Sequence, residues 1–185
     1  MKIRKPGVDA DGVLRNFHDR LREVYLKYYP NHQVPTIDKF QKDGLQHYFP
    51  IGDNIRKFFS EEHPKEIYLG AYPYPGASDF MDELRYLCNE VVIVTNQPND
   101  LAKQLTKEWF VREKIRYDRI LFTKDKSEFE GDYLLDDRVP ELENILRGKK
   151  SVPVCFNQPW NQDWKGLRVY NYQEFLDIVR NHHSI

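Results

Sequence analysis

The sequence predicts an α/β fold in which helices flank a parallel sheet, and two observations carry this prediction. From residue 76 onward, segments with helical periodicity alternate with short runs of apolar and β-branched residues. Polar residues stand directly after these runs, at the strand ends where parallel sheets bind ligands. One edge of the sheet is therefore where we expect a functional site.

The first part of the chain is predicted to hold one strand and several helices. A strand precedes Asp9, and we expect it to be short or irregular because Pro6 and Gly7 weaken a sheet ladder. Apolar residues on one face predict a helix over 18–29, which Pro30 ends. Short helices are expected near 37–48 and 52–61, in an aromatic-rich region. A loop rich in Pro follows at 72–77.

The second part alternates more regularly. Helices are predicted over 77–87, 99–113, 139–147 and 172–181 from their apolar faces. Short β-branched or apolar runs predict buried strands over 91–94, 120–122, 133–135 and 152–156. This order is typical of a chain that winds a parallel sheet through crossover helices.

The composition is that of a folded protein with a sizeable core. The chain has 185 residues, of which 40% are hydrophobic and 31% charged, and its net charge of −1 gives no reason to bind a nucleic-acid polymer or an anionic membrane. No apolar run approaches the length of a membrane span, and the first residues do not resemble a secretory signal. Cys88 and Cys155 stand in apolar contexts, which predicts buried free thiols and a cytoplasmic location.

Two carboxylates follow the first strand. Asp9 and Asp11 alternate along an extended backbone and so point the same way, and Gly12 then allows a sharp turn. Paired acids at a strand end suit phosphoryl chemistry, in which one attacks or ligates a cation and the other moves a proton. Taken alone, the fragment could equally be a surface turn.

The later strand ends complete the pattern. Thr95 and Asn96 follow the second predicted strand, Lys124 and Lys126 the third, and the pair Asp136 and Asp137 the fourth. Carboxylates hold Mg²⁺, hydroxyl and amide groups hold phosphate oxygens, and a lysine neutralises charge. Adjacent carboxylates usually need a cation, so the combined order favours a catalytic magnesium–phosphate site. The local sequence does not choose between the two lysines.

This motif order resembles the haloacid dehalogenase (HAD) superfamily of phosphotransferases, and in particular its 5′(3′)-deoxyribonucleotidases. The resemblance rests on DADGVLRNF at 9–17, YPGA at 74–77, DKS at 125–127, GDYLLDDR at 131–138 and FNQPWN at 156–161. It implies a HAD-like, Rossmann-like core made of residues 1–14 and 74–185. A small, mostly helical cap, residues 15–73, would be inserted after the first strand.

The resemblance also implies roles for the core residues. Asp9 would be the nucleophile that forms an aspartyl-phosphate, and Asp11 would protonate the leaving group and later activate water. Lys126, which stands just before Ser127 as in the family motif, would stabilise the phosphoryl charge. Mg²⁺ would be held by Asp9, Asp11 (through its backbone carbonyl), and Asp136 or Asp137, directly or through water.

The resemblance also implies which residues contact the substrate. Thr95 and Asn96 would bind phosphoryl oxygens, and Phe17 matches the position at which the family stacks a base. We therefore expect a Mg²⁺-dependent phosphomonoesterase acting on (deoxy)nucleoside monophosphates. The alternatives are another small phosphomonoester such as a sugar phosphate, a nucleic-acid end, or a catalytically weak nucleotide-binding domain. The sequence permits a homodimer and does not distinguish 5′ from 3′ phosphates.

Overall fold

The computed structural model describes residues 4–181. Among these residues, six strands form one fully parallel sheet in the order β3-β2-β1-β4-β5-β6. The strands are β1 (Gly7–Val8), β2 (Val92–Thr95), β3 (Arg119–Phe122), β4 (Tyr133–Asp136), β5 (Val152–Phe156) and β6 (Arg168–Val169). The predicted α/β class is confirmed.

The central strand β1 is only two residues long, as its sequence predicted. Pro6 has no N–H to donate, but its carbonyl accepts a hydrogen bond from Val92 at 3.1 Å. Close packing requires glycine at position 7, because a Cβ on Gly7 would lie 2.8 Å from a methyl of Leu134 and 2.9 Å from the ring of Phe129. The part of the predicted strand at residues 2–3 lies outside the described residues.

The longer helices agree with prediction to within one or two residues. They are α1 (Phe17–Tyr28), α4 (Ala77–Leu87), α5 (Asp100–Arg112), α6 (Val139–Gly148) and α7 (Tyr172–Arg180). The short segments are less regular. Two 3-10 turns, Ile37–Lys39 and Leu45–His47, stand where a helix was expected near 37–48, because Gly44 between them has φ of +102°.

The other expected short helix, near 52–61, is also irregular. A 3-10 turn (Gly52–Asn54), the short helix α2 (Ile55–Lys57) and a π-helical turn (Phe58–Glu62) follow one another there. Helix α3 (Pro64–Tyr68) and strand β6 were not predicted, and each is too short to show periodicity.

Apolar residues gather into separate cores. The largest lies between the sheet and the helices α4, α5 and α7, and includes Val8, Ile93 and Leu135. A second is formed mainly within residues 15–73 by Phe, Tyr and aliphatic side chains, and reaches α5 and Trp160. The sheet therefore meets a layer with its own apolar centre, and the two enclose a cavity.

Two further expectations concern thiols and membranes. Cys88 and Cys155 are free thiols, with Cys155 buried and Cys88 half-buried. Within residues 4–181, no helix is both long and apolar enough to cross a membrane.

Candidate active site

A cavity of about 570 Å³ opens at the carboxyl ends of the strands. One wall is polar and comes from the strand-end loops; the other is aromatic and comes from residues 15–73. The core wall includes Asp9, Asp11, Thr95, Lys126 and Asp137, and the aromatic wall Phe17, His18, Phe40, Tyr48, Phe59 and Tyr68. This position agrees with the rule that parallel sheets bind ligands beyond the carboxyl ends of their strands.

Asp9 and Lys126 form an ion pair at the base of the cavity. Asp9 Oδ2 lies 2.9 Å from Lys126 Nζ, and Asp9 Oδ1 accepts the backbone N–H of Ala10 at 2.8 Å. Lys126 also donates to Asp136 Oδ2 at 2.6 Å, and only 2% of it is exposed. Lys124, the alternative in the sequence, is exposed to solvent. The structure thus brings Lys126, rather than Lys124, to the carboxylates.

Burial dominates the electrostatics of this pair. It raises the pKa of Asp9 to about 7; the Asp136 and Asp11 charges add to the rise, and Lys126 opposes it. Burial alone would lower the pKa of Lys126, but the carboxylates of Asp136 and Asp9 raise it above its ordinary value. The lysine is therefore a fixed positive charge, whereas Asp9 loses its proton only near neutral pH, and a further cation beside it would lower its pKa.

Asp136 and Asp137 stand at the end of β4, and both are fully buried. Asp136 Oδ1 accepts the backbone N–H of Arg138 at 2.9 Å, and Asp137 Oδ2 accepts Trp160 Nε1–H at 3.0 Å. Asp137 Oδ1 is buried without a hydrogen-bond partner. The other three carboxylate oxygens of this pair accept hydrogen bonds from protein, so Asp137 Oδ1 is the oxygen left available to a bound group.

Gly12 is required for this arrangement. Its φ is +77°, and a Cβ on it would lie 2.2 Å from Asp137 Oδ2. Gln158, in the late loop, donates to the Gly12 carbonyl at 2.7 Å, and Asn161 donates to the Asp137 carbonyl at 2.8 Å. The loop after β5 therefore holds the first acidic motif against the last.

Asp9, Asp136 and Asp137 together could hold a cation. Each offers a carboxylate oxygen, and these atoms lie within 4.8 Å of one another. Burial raises the pKa of Asp137 well above its ordinary value, and the neighbouring Asp136 and Asp9 charges raise it further. The three buried carboxylates face only the single positive charge of Lys126, and one of their oxygens has no hydrogen-bond partner. This arrangement fits a hard divalent cation such as Mg²⁺.

The side chain of Asp11 lies outside that cluster. Arg15 Nε donates to its Oδ1 at 2.7 Å, and Gln97 Nε2 donates to its Oδ2 at 3.0 Å. Burial would raise the pKa of Asp11, but the Arg15 charge and the hydrogen bonds from Arg15 and Gln97 hold it below its ordinary value. The expected contact between the Asp11 carbonyl and a metal stays a prediction.

The predicted phosphate-binding residues line the same cavity. Thr95 is the last residue of β2 and is buried, and its Oγ1 accepts Gln97 Nε2–H at 3.1 Å. Asn96 is exposed at the rim. Gln97, which bridges Thr95 and Asp11, was missed in the sequence because it stands two residues beyond the strand.

Phe17 begins α1 on the aromatic wall. Asn16 caps the helix by accepting the backbone N–H of Asp19. The Phe17 ring meets Phe59 edge to face at a centroid distance of 5.3 Å and Tyr68 at 5.4 Å. The side chain thus belongs both to the apolar core of this region and to the cavity lining.

His18 and Trp160 extend that wall, and neither was predicted to contact the site. Their rings lie 4.2 Å apart, and His18 Nδ1 is buried with no hydrogen-bond partner. Burial lowers the pKa of His18 to about 4, so the imidazole is neutral at physiological pH. A two-armed ion pair between Arg138 and Asp43, at 3.0 and 2.8 Å, also joins the two walls.

Comparison with known proteins gives the family. Residues 6–183 match the family described as 5′ nucleotidase, deoxy (pyrimidine), cytosolic type C protein (NT5C). The chain belongs to this nucleotidase family. The human 5′(3′)-deoxyribonucleotidase of cytosolic type is 27% identical to it over 160 residues, which span 79% of this chain and 74% of the human one.

Solved structures share the fold of this nucleotidase-family chain. A HAD family hydrolase of Deinococcus radiodurans, with bound phosphate and sodium, superposes with a TM-score of 0.66 at 13% identity, covering 98% of this chain and 96% of its own. Bacillus subtilis YfnB bound to magnesium gives 0.62 at 12% identity, covering 97% and 99%. The fold is that of these HAD hydrolases, and as a member of a nucleotidase family the chain is a hydrolase.

Proposed function

We propose that this chain is a Mg²⁺-dependent phosphatase of deoxynucleoside monophosphates that works through an aspartyl-phosphate on Asp9. The supporting observation is the buried group formed by Asp9, Lys126, Asp136 and Asp137, which lies at the base of a cavity whose opposite wall is aromatic. The family description and the name of the human relative both point to deoxynucleotides.

Asp9 is the group suited to attack phosphorus. Lys126 lies 2.9 Å from its carboxylate and would pair with the phosphoryl oxygens, and Thr95 Oγ1–H would donate to one of them. Asp9 forms the new P–O bond as the ester P–O bond breaks. Asp136 and Asp137 would hold Mg²⁺ beside Asp9, and that cation would offset the charge of the phosphate.

Asp11 is the group suited to proton transfer. It lines the cavity beside Asp9. Because Arg15 holds its pKa below the ordinary value, Asp11 would first take up the proton that the bound phosphate monoester carries, and would then donate it to the departing sugar oxygen. In the second step it would take a proton from the water that attacks the phosphorus of phospho-Asp9. That attack breaks the bond between phosphorus and Asp9, and the proton held by Asp11 leaves with the inorganic phosphate or to solvent, so both carboxylates are ionised again.

The aromatic wall is suited to a nucleoside leaving group. A volume of about 570 Å³ falls within the range of small-molecule sites, roughly 300–1,000 Å³. Stacking on Phe17 would contribute about 1–3 kcal/mol per base. Free thiols and the cytosolic designation of the human relative support a cytoplasmic location.

The test is phosphate release from a panel of nucleoside and deoxynucleoside monophosphates, with Mg²⁺ and with EDTA. We expect Mg²⁺-dependent release that favours deoxynucleotides and is lost in Asp9→Asn. Asp163→Asn, at an exposed aspartate away from the cavity, is the matched control and should retain full activity. Activity on sugar phosphates alone would overturn the substrate, and no release from any ester would overturn the chemistry.

A further inference from the structure

Arg15 is fully buried beside the candidate site and has no part in the chemistry described above. Its guanidinium carbon lies 4.9 Å from the centre of the Tyr68 ring and 5.1 Å from that of Trp109. Aromatic faces attract a cation, but a buried charge still needs a carboxylate and hydrogen bonds. The position of Arg15 therefore depends on a charged partner.

That partner is Asp11. Arg15 Nε lies 2.7 Å from Asp11 Oδ1, and Arg15 Nη2 lies 3.1 Å from Oδ2, so both carboxylate oxygens are held. Nη2 also donates to Thr106 Oγ1 at 3.2 Å. Two parallel N–H···O bonds fix the plane of a carboxylate as well as its position, which one ammonium group cannot do.

The backbone locks the pair in place. Arg15 N–H donates to the Ala10 carbonyl at 2.8 Å, and Gly12 N–H donates to the Arg15 carbonyl at 3.0 Å. Residues 10–15 thus form a closed loop, and Arg15 also bridges to Pro73. Because loop and guanidinium are both held, the Asp11 side chain has little freedom to rotate.

We propose that Arg15 is the positioning residue for Asp11: it fixes the carboxylate at the cavity edge where the leaving group departs. This inference rests on the proposed function, in which Asp11 supplies the proton. Gln97 donates one hydrogen bond to Asp11, at the same Oδ2 that accepts from Arg15 Nη2. It cannot replace the two-armed contact.

The test compares two substrates that differ in their need for a proton. The sugar alkoxide of a deoxynucleoside monophosphate must be protonated as it leaves, whereas p-nitrophenolate leaves without one. We would measure kcat/KM, which reports the steps up to departure, for the unmodified chain, Arg15→Met, Asp11→Asn and the double variant. Arg15→Met should lower kcat/KM roughly 10–100-fold on the nucleotide and less than about 3-fold on p-nitrophenyl phosphate.

The double variant gives a second readout. If Arg15 acts through Asp11, Arg15→Met should cause little further loss on the nucleotide once Asp11→Asn is present. The matched control is Arg116→Met, which removes another two-armed arginine–aspartate pair, with Asp82, outside the cavity. It should leave both activities unchanged.

If Arg15→Met does not fold, Arg15→Lys is the variant that tests the inference. Lysine preserves the buried charge but offers a single-point contact, so the same substrate-selective loss is expected. Equal losses on both substrates, additive effects in the double variant, or full nucleotide activity in Arg15→Lys would overturn the inference alone. No Mg²⁺-dependent turnover of either substrate by the unmodified chain would overturn the proposed function as well.

Discussion

The two walls of the cavity are built in different ways. The core wall is charged and places its side chains at the ends of β1, β2 and β4, where the sheet ladder fixes the backbone. The aromatic wall comes partly from α1, which carries Phe17 and His18, and from Tyr68 at the end of α3, and partly from short turns between 37 and 62, where 3-10 and π-helical segments replace regular helix. The aromatic residues of those turns, Phe40, Tyr48 and Phe59, are held by ring packing instead of a ladder of hydrogen bonds.

This difference in construction matches a difference in the proposed roles of the two walls. The proposed chemistry, which depends on sub-ångström placement of charges, would take place at the ends of hydrogen-bonded strands. Recognition of a base would need only an aromatic face, which Phe17 on α1 and the rings of the irregular segments could supply. Changes at Asp9, Lys126, Asp136 or Asp137 should therefore affect all substrates, and changes in the aromatic wall only some.

The largest effect is expected for Lys126→Met. Removing this cation leaves Asp9 and Asp136 buried without their shared partner, which should cost about 3–5 kcal/mol of unfolding free energy. Added Mg²⁺ should restore part of the loss, since it neutralises the same carboxylates. Denaturant unfolding with Mg²⁺ and with EDTA measures both effects.

Lys124→Met is the control for that experiment. Lys124 is two residues away and exposed, so its replacement should change the unfolding free energy by less than about 0.5 kcal/mol. Similar losses for both variants would show that the charge contacts of Lys126 do not stabilise the core wall.

A smaller effect should appear in the pH dependence of stabilisation by Mg²⁺. The pKa of Asp9 is raised from 3.8 to about 7 in the folded chain, so between those pH values the folded state keeps a proton that the unfolded state has lost. Without a divalent cation, this group therefore makes folding less stable as pH rises through that window. Cation binding displaces the proton, so the Mg²⁺-induced rise in Tm should grow as pH increases.

Thermal unfolding at about pH 5.5 and about pH 8 checks this. At pH 8 we expect an increase in Tm of roughly 5–10 °C at a Mg²⁺ concentration about 100-fold above Kd, and a clearly smaller one at pH 5.5. KCl at equal ionic strength is the control. Equal shifts at the two pH values would contradict a cation bound through Asp9.

The core wall was largely predictable from the sequence. Apolar periodicity located β2 and β4, and the parallel arrangement brings their carboxyl ends to one edge, so Thr95, Asp136 and Asp137 follow from their positions. The local sequence does not choose between Lys124 and Lys126, because both follow β3. The family resemblance favoured Lys126, and the structure buries Lys126 against Asp9 and Asp136.

Contacts between distant segments were not predictable. Nothing in the local sequence shows that Arg15 is buried, and only the structure places its guanidinium against the rings of Tyr68 and Trp109. Trp160 reaches Asp137 from a loop 23 residues away, a contact that no local pattern encodes. The turns between 37 and 62 are likewise set by tertiary packing of aromatic rings, which overrides the weak helical periodicity there.

The central claim is that the core wall performs the chemistry and the aromatic wall selects the leaving group. The most direct test is the ratio of kcat/KM for a deoxynucleoside monophosphate to kcat/KM for p-nitrophenyl phosphate. We would measure kcat/KM for a deoxynucleoside monophosphate and for p-nitrophenyl phosphate in the unmodified chain, Asp9→Asn and Phe17→Ala. Phe17→Leu is a control that keeps apolar packing against Phe59 and Tyr68 without an aromatic face.

Asp9→Asn should abolish both activities, whereas Phe17→Ala and Phe17→Leu should lower the nucleotide value roughly tenfold and leave the aryl phosphate value nearly unchanged. Residual activity of Asp9→Asn on both substrates, or equal losses on both substrates in Phe17→Leu, would contradict the division between the two walls.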